Sequence, residues 1–154
     1  MQIASLADHL DLIDTIAHWH WEQWGHTDPA DSLASRMAHL RRCTNRDRIP
    51  AAFVALDETE LCGTALLVAD DMTTHPELSP WLASVFVAPA HRGKGIASAL
   101  VRHAVQQAAA MGVTRLYLFT ESARELYEKL GWHPIAEDHY EGQPVTIMAI
   151  DLSA

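Results

Sequence analysis

The stretch from Trp81 to Thr120 constrains this chain more than any other. An apolar run, Trp81 to Ala88, reads as a buried strand and stops at Pro89. A basic, glycine-containing loop follows, Arg92-Gly-Lys-Gly95. From Gly95 to Met111 the pattern is an amphipathic helix, with Ile96, Leu100, Val101, Ala104, Ala108 and Met111 on one face and Gly112 as its stop. Thr114 to Thr120 reads as a second strand. Two successive strands joined by a helix imply a parallel crossover. The turn itself suits a phosphate. Its glycines leave backbone N–H groups unhindered, the helix N-terminus adds a positive dipole end, and Arg92 and Lys94 add full charges.

The remaining pattern completes a mixed α/β domain. Met1 to Leu6 reads as a short strand. Ala7 to Trp24 reads as a helix, with Leu10, Ile13, Ala17, Trp21 and Trp24 at three- and four-residue steps and Gly25 as its stop. Asp28-Pro29 opens a second helix through Leu33, Met37 and Leu40, and Thr44 to Pro50 is a polar loop. Ala51 to Leu56 and Leu61 to Ala69 read as a hairpin around Asp57-Glu-Thr-Glu60. Asp70 to Pro80 is a loop. Ser122-Ala-Arg-Glu125 has capping-box spacing, and the short helix after it buries Ala123, Leu126, Tyr127 and Leu130 before Gly131. Trp132 to Ala136 and Val145 to Leu152 read as closing strands.

With 154 residues and no linker or repeat, one domain over residues 1–154 is expected. No apolar run reaches membrane-span length, and no basic region followed by an apolar stretch marks a signal peptide. Two cysteines, Cys43 and Cys62, make no disulfide framework and suit a reducing cytoplasm. A formal charge of −9 argues against nucleic acid as a partner and leans toward a cationic one.

Three loop types compete for Arg92 to Ser98. A Walker A loop needs Ser or Thr after its lysine, and Lys94 is followed by Gly95. A dinucleotide fingerprint is matched only as Gly93-x-Gly95-x-x-Ser98, with Arg115 in the region where an acidic residue is wanted. The third type, Arg or Gln, two residues, Gly, one residue, then Gly or Ala, fits Arg92-Gly-Lys-Gly95-Ile-Ala97 at every position. Together with Leu82-x-x-Val85-x-Val87-x-Pro89 and Ala123-x-x-Leu126-Tyr127-Glu-Lys-Leu-Gly131-Trp132, this loop resembles the GCN5-related N-acetyltransferase family. The resemblance runs from about Ala51 to Leu152.

That resemblance implies a GNAT-like fold: a central, mixed but mostly antiparallel twisted sheet of six or seven strands flanked by four helices. It implies acetyl-CoA as cosubstrate, no metal, and acetyl transfer to a primary amine of a small molecule or peptide by direct attack in a ternary complex. The pyrophosphate would sit on Arg92, Gly93, Lys94, Gly95, Ile96, Ala97 and Ser98. The backbone of Val85, Phe86 and Val87 would hold the pantetheine arm where two strands splay, with a backbone N–H near Val87 polarising the thioester carbonyl and Thr120 beside them. Tyr127 would assist departure of the CoA thiolate, because a phenol of pKa about 10 can hydrogen-bond or protonate a thiolate whose conjugate acid is near 8.5. A homodimer is compatible with the resemblance, and no residue decides it. A non-catalytic acyl-CoA-binding domain on the same fold is the alternative.

The chain departs from the family at two places. Thr120 stands where Asn is common, and Ser84 stands where a strand carboxylate often serves as general base. The sequence offers Asp70, Asp71, His75, Glu77 and His139 for the amine's proton, and spacing singles out none of them. His18 and His20 would point about 200° apart on a helix and cannot share one ion. By resemblance, Trp21, Trp24, Gly25 and His26 border the acceptor site.

Overall fold

The computed structural model describes residues 1–25 and 28–152. The elements in chain order are β1 (Gln2–Ser5), α1 (Ile13–Trp24), α2 (Leu33–Arg42), β2 (Ala51–Asp57), β3 (Glu60–Val68), β4 (Trp81–Val87), α3 (Ile96–Ala110), β5 (Arg115–Thr120), α4 (Arg124–Lys129), β6 (His133–Tyr140) and β7 (Gln143–Asp151). The strands form one seven-stranded sheet in the order β1-β2-β3-β4-β5-β7-β6. Only β4 and β5 run parallel, and α3 makes the crossover between them. The sheet and the four helices are as the resemblance implied.

Each face of the sheet carries its own core. On one, Ile13, Ile16 and Ala17 of α1 and Leu40 of α2 pack over Val54, Leu66, Trp81 and Ile147. On the other, Ile96, Leu100, Val101, Ala104 and Ala108 of α3 and Tyr127 of α4 cover Phe53, Leu67, Leu82, Leu116 and Met148. Central strands covered on both sides favour apolar residues at every position, which is why β2 reads as an apolar run and β3 as one interrupted only at Gly63 and Thr64.

Two features of β4 shape the site. First, it meets β5 in register at one pair, Trp81 with Tyr117, beside a hydrogen bond from Tyr117 N–H to Pro80 O at 3.1 Å. Among the described residues no further ladder pair joins these strands, and β5 bonds along its length to β7 instead. The sheet is therefore open between the later halves of β4 and β5. Second, β4 bulges against β3 between the Ala83–Leu66 and Phe86–Thr64 pairs, with Ser84 at φ +52°. The bulge reverses the side-chain alternation. Trp81 and Ala83 face α1 and α2, whereas Val85 and Val87 face α3. Gly63 lies across from Val87, where a Cβ would come within 2.7 Å of Phe86 O.

Several boundaries differ from the sequence reading. The helix expected over Ala7 to Trp24 begins as two 3-10 turns, Leu6–Asp8 and Leu10–Leu12, because Ser5 Oγ accepts from Ala7 N–H and His9 leaves the helical region. Leu10 is consequently exposed. Asp28-Pro29 does not open α2. Asp28 Oδ1 accepts from Ala30 N–H in a local turn, and Ser32 caps the helix in a reciprocal box with Ser35. Ser122 does not cap α4 either. Ala123 occupies the cap position, and Thr120 Oγ1 accepts its N–H at 3.0 Å. The closing strands are longer than their apolar cores, because much of β6 is solvated and gives little hydrophobic signal. They join at Glu141-Gly142, both at positive φ. No helix among the described residues is long and apolar enough to cross a membrane.

Candidate active site

The loop from Arg92 to Gly95 stands at the open end of the β4–β5 gap. A 3-10 turn, Pro89–His91, leads into it, and Gly95 at φ +79° caps α3. Gly93 is at φ +78°. A Cβ at either glycine would meet nothing within 4 Å, so both border open space. Val87, Arg92, Gly93, Gly95, Ile96, Ala97 and Ser98 line a cavity of about 200 Å³ that Leu126 of α4 closes from the far side. Lys94 is exposed. A larger groove of about 410 Å³ lies between the start of α1 and α2, lined by Leu10, Asp11, Ile13, Asp14, Met37, Arg41 and Thr44. It contains none of the motif residues, and the smaller cavity is the one that backbone N–H groups and a helix N-terminus surround.

Two side chains, Arg92 and His91, brace this loop, and both roles escaped the sequence reading. The Arg92 guanidinium lies 5.7 Å from the centre of the Phe86 ring, and its Nε donates to Val87 O at 3.0 Å. Arg92 thus ties the loop to β4 as well as carrying charge. His91 Nε2 pairs with Glu60 Oε2 at 2.9 Å, and Ala88 N–H donates to Cys62 O at 2.8 Å, so the turn before the loop is fastened to β3. Glu60, Cys62 and His91 bring ligand-type atoms within 4.8 Å of one another. Cys62 and Cys43 are both buried free thiols.

Tyr127 sits on α4 next to the cavity-lining Leu126, buried, with its ring edge-on to Trp132 at 6.1 Å. Burial pushes its phenol up to about 12. It therefore keeps its proton at any working pH. Trp132 Nε1, in the ring packed against it, is a buried donor with no partner among the described residues. Thr120 ends β5 at the gap, where its hydroxyl oxygen already accepts the Ala123 N–H.

The opposite side of β4 is aromatic. Phe86 contacts Trp19 at 5.5 Å and Trp24 at 6.1 Å between ring centres. His20 Nε2 lies 2.9 Å from Thr64 Oγ1, which donates to Ser84 O at 3.1 Å. Burial first, then the charge of Arg36, lowers the His20 pKa to about 3, so its ring is neutral. His18 instead bonds Asp14 O, so the two histidines are separated as their helical spacing requires. His26 lies outside the described residues.

The candidate bases divide. His75 pairs with Asp138 at 2.6 Å and Glu77 at 3.2 Å, which ties the loop after β3 to β6. Asp70 and His139 are exposed. Asp71 is partly buried, and burial, reinforced by the nearby charge of Glu141, pushes its carboxyl up to about 7 despite an opposing effect of Arg36.

The model of the acetyltransferase (GNAT) family matches residues 13–132. A sequence search among curated proteins finds no match. Among solved structures, an aminoglycoside 6'-N-acetyltransferase complexed with coenzyme A superposes with a TM-score of 0.78 at 18% identity, covering 100% of this chain and 98% of that one. The aminoglycoside 6'-N-acetyltransferase of Enterococcus faecium gives 0.74 at 18% identity, with 100% and 98% covered. The protein yncA of Salmonella typhimurium, solved with its cofactor acetyl-CoA, gives 0.70 at 19% identity, with 100% and 95% covered. At these identities the likeness is one of fold.

Proposed function

The chain belongs to the acetyltransferase (GNAT) family, and from that premise we propose an N-acetyltransferase that moves the acetyl group of acetyl-CoA to a primary amine of a small molecule or peptide by direct attack in a ternary complex. One observation carries the reading. The β4–β5 gap opens beside the glycine cradle at the start of α3, and Leu126, the neighbour of Tyr127 on α4, lines the cavity there, which supports one extended thioester lying across the cradle with its sulfur toward Tyr127. The cradle fits a pyrophosphate, because both glycines border open space and a cavity lies against their loop.

When bound, acetyl-CoA supplies an activated thioester whose carbonyl carbon accepts the amine nitrogen as the C–S bond breaks. Backbone N–H groups from Gly93 to Ala97, with Ser98 beside them, hold the pyrophosphate, aided by Arg92 and Lys94. Val85, Phe86 and Val87 hold the pantetheine arm by their backbone, and Val85 N–H polarises the carbonyl. Tyr127 donates a hydrogen bond to the departing sulfur. With a pKa near 12 against about 8.5 for a thiol, the phenol stabilises the thiolate more than it protonates it. Neither Cys43 nor Cys62 takes part, and two free thiols suit the reducing cytoplasm. Residues 1–154 act as one domain.

Of the candidate bases, Asp71 is the one whose carboxyl is pushed up to about 7, which makes it the one to test as proton acceptor. Its carboxylate form grows as pH rises through its pKa. The rate per amine should therefore rise toward a plateau above about pH 7, and Asp71→Asn should remove that inflection. An unchanged pH–rate profile in the variant would return the role to water.

The acceptor is identified by screening amines for release of free CoA thiol. Aminoglycosides come first, because the structural neighbours include aminoglycoside acetyltransferases. Polyamines and peptide amines follow, because the chain's net charge of −9 suits a cationic acceptor. Thiol release with any of them supports the enzyme. Tight acetyl-CoA binding with no release across the panel supports the alternative, an acyl-CoA-binding domain.

A further inference from the structure

We propose that Thr64 and His20 are positioning residues for acyl transfer: a buried chain from His20 Nε2–H through the Thr64 hydroxyl to Ser84 O holds the β4 bulge so that Val85 N–H faces the gap toward β5. This role rests on the acetyl-transfer reading above.

The direction of each bond follows from proton count. Thr64 Oγ1 has one hydrogen, and it goes to Ser84 O at 3.1 Å. The same oxygen must then accept from His20, whose Nε2 is 2.9 Å away. His20 is 2% exposed and Thr64 1% exposed, so water does not compete for either group. The chain links three elements: α1 supplies His20, β3 supplies Thr64, and β4 supplies the carbonyl.

The carbonyl it holds is the one that matters. A trans peptide directs its C=O and N–H to opposite sides. Thr64 holds Ser84 O from the β3 side, so the N–H of the same peptide, that of Val85, is directed away from β3. That is the side on which β5 has separated from β4. Ser84 adopts φ +52°, a conformation that non-glycine residues take only where their surroundings impose it. A regular strand at this point would return Val85 and Val87 to the α1 face and redirect the amide. An apolar pair at positions 20 and 64 would fill the same space without a donor for Ser84 O. The polar chain adds a fixed peptide orientation at the one strained residue of β4.

Infrared difference spectra of full-length protein with acetyl-CoA carrying ¹³C at the acetyl carbonyl test this directly. Wild-type protein is expected to move the carbonyl band to lower wavenumber. Thr64→Val should lose at least half of that movement and lower kcat roughly tenfold on the best amine of the panel, because a misaimed donor forfeits part of its effect. Its acetyl-CoA dissociation constant should stay within about twofold of wild type. Thr64→Ser, which keeps the hydroxyl, should retain the band movement and most of kcat. If Thr64→Val does not fold, His20→Phe, which leaves the Thr64 hydroxyl without the donor that orients it, should lose a smaller but measurable part of the movement, and His20→Gln, with an amide donor, should restore it. A wild-type band movement shared in full by Thr64→Val, or by His20→Phe, overturns the positioning role and leaves the acetyl-CoA reading intact. Absence of binding and of band movement in wild type overturns the acetyl-CoA reading itself.

Discussion

Tyr127→Phe is expected to lower kcat by about two orders of magnitude while leaving acetyl-CoA affinity within about twofold, the pattern of a group that acts only as the leaving group departs. The ring fills the space between α4 and Trp132, and Phe fills it equally well. On the proposed mechanism the substitution removes one donor with a pKa near 12, the one that would meet the sulfur as it gains negative charge. A wholly structural Tyr127 would show the reverse: unchanged turnover and a small change in melting temperature. Steady-state kinetics with a saturating amine, alongside calorimetric titration of acetyl-CoA, separate the two outcomes.

Gly95→Val is expected to weaken acetyl-CoA binding by at least about a hundredfold, close to 2.7 kcal/mol at about 1.4 kcal/mol per decade. Two effects combine. A β-branched residue at φ +79° is strained, and relieving the strain turns the α3 N-terminus away from the cradle. If the backbone holds, the new side chain projects into the open space that the pyrophosphate would use. Gly112→Val provides the control. Gly112 also lies at positive φ with nothing near its Cβ position, yet it follows α3 at the end remote from the loop. It should cost comparable stability and leave acetyl-CoA affinity unchanged. Equal loss of affinity in both variants would mean that backbone strain alone, and not the cradle, explains the effect.

The parts of the fold that were legible are those in which local pattern and burial agree. Strands β2 to β5 and helix α3 are covered on both sides or along one stripe, so their apolar periodicity is strong. The loop was legible because its glycines sit where positive φ is needed. The N-terminal turns were not, since Ser5 and His9 break a periodicity that otherwise continues into α1. β6 was underestimated because its later half begins with the polar run Glu137, Asp138 and His139, which shows no apolar pattern and is held by ladder bonds to β7. The Ser122 box failed because α4 starts one residue later, with Ala123 at a cap position that carries no side-chain cap bond, and Thr120 Oγ1 accepts the Ala123 N–H. The bulge at Ser84 left no local signal, and its support comes from residues 20 and 64 positions away: Thr64 and His20 meet it only through the tertiary fold. Their sole trace in the sequence is a polar residue inside each of two apolar patterns.

The reading depends on the cradle and gap holding acetyl-CoA, and thermal unfolding with acetyl-CoA tests that most directly. At a hundred times its dissociation constant, a ligand bound only by the folded state adds about 2.7 kcal/mol, which for a chain of this length is a rise of roughly 5–10 °C. Wild-type protein should show that rise with acetyl-CoA, and Gly95→Val should lose most of it. A wild-type melting temperature that does not move at millimolar acetyl-CoA would contradict the account.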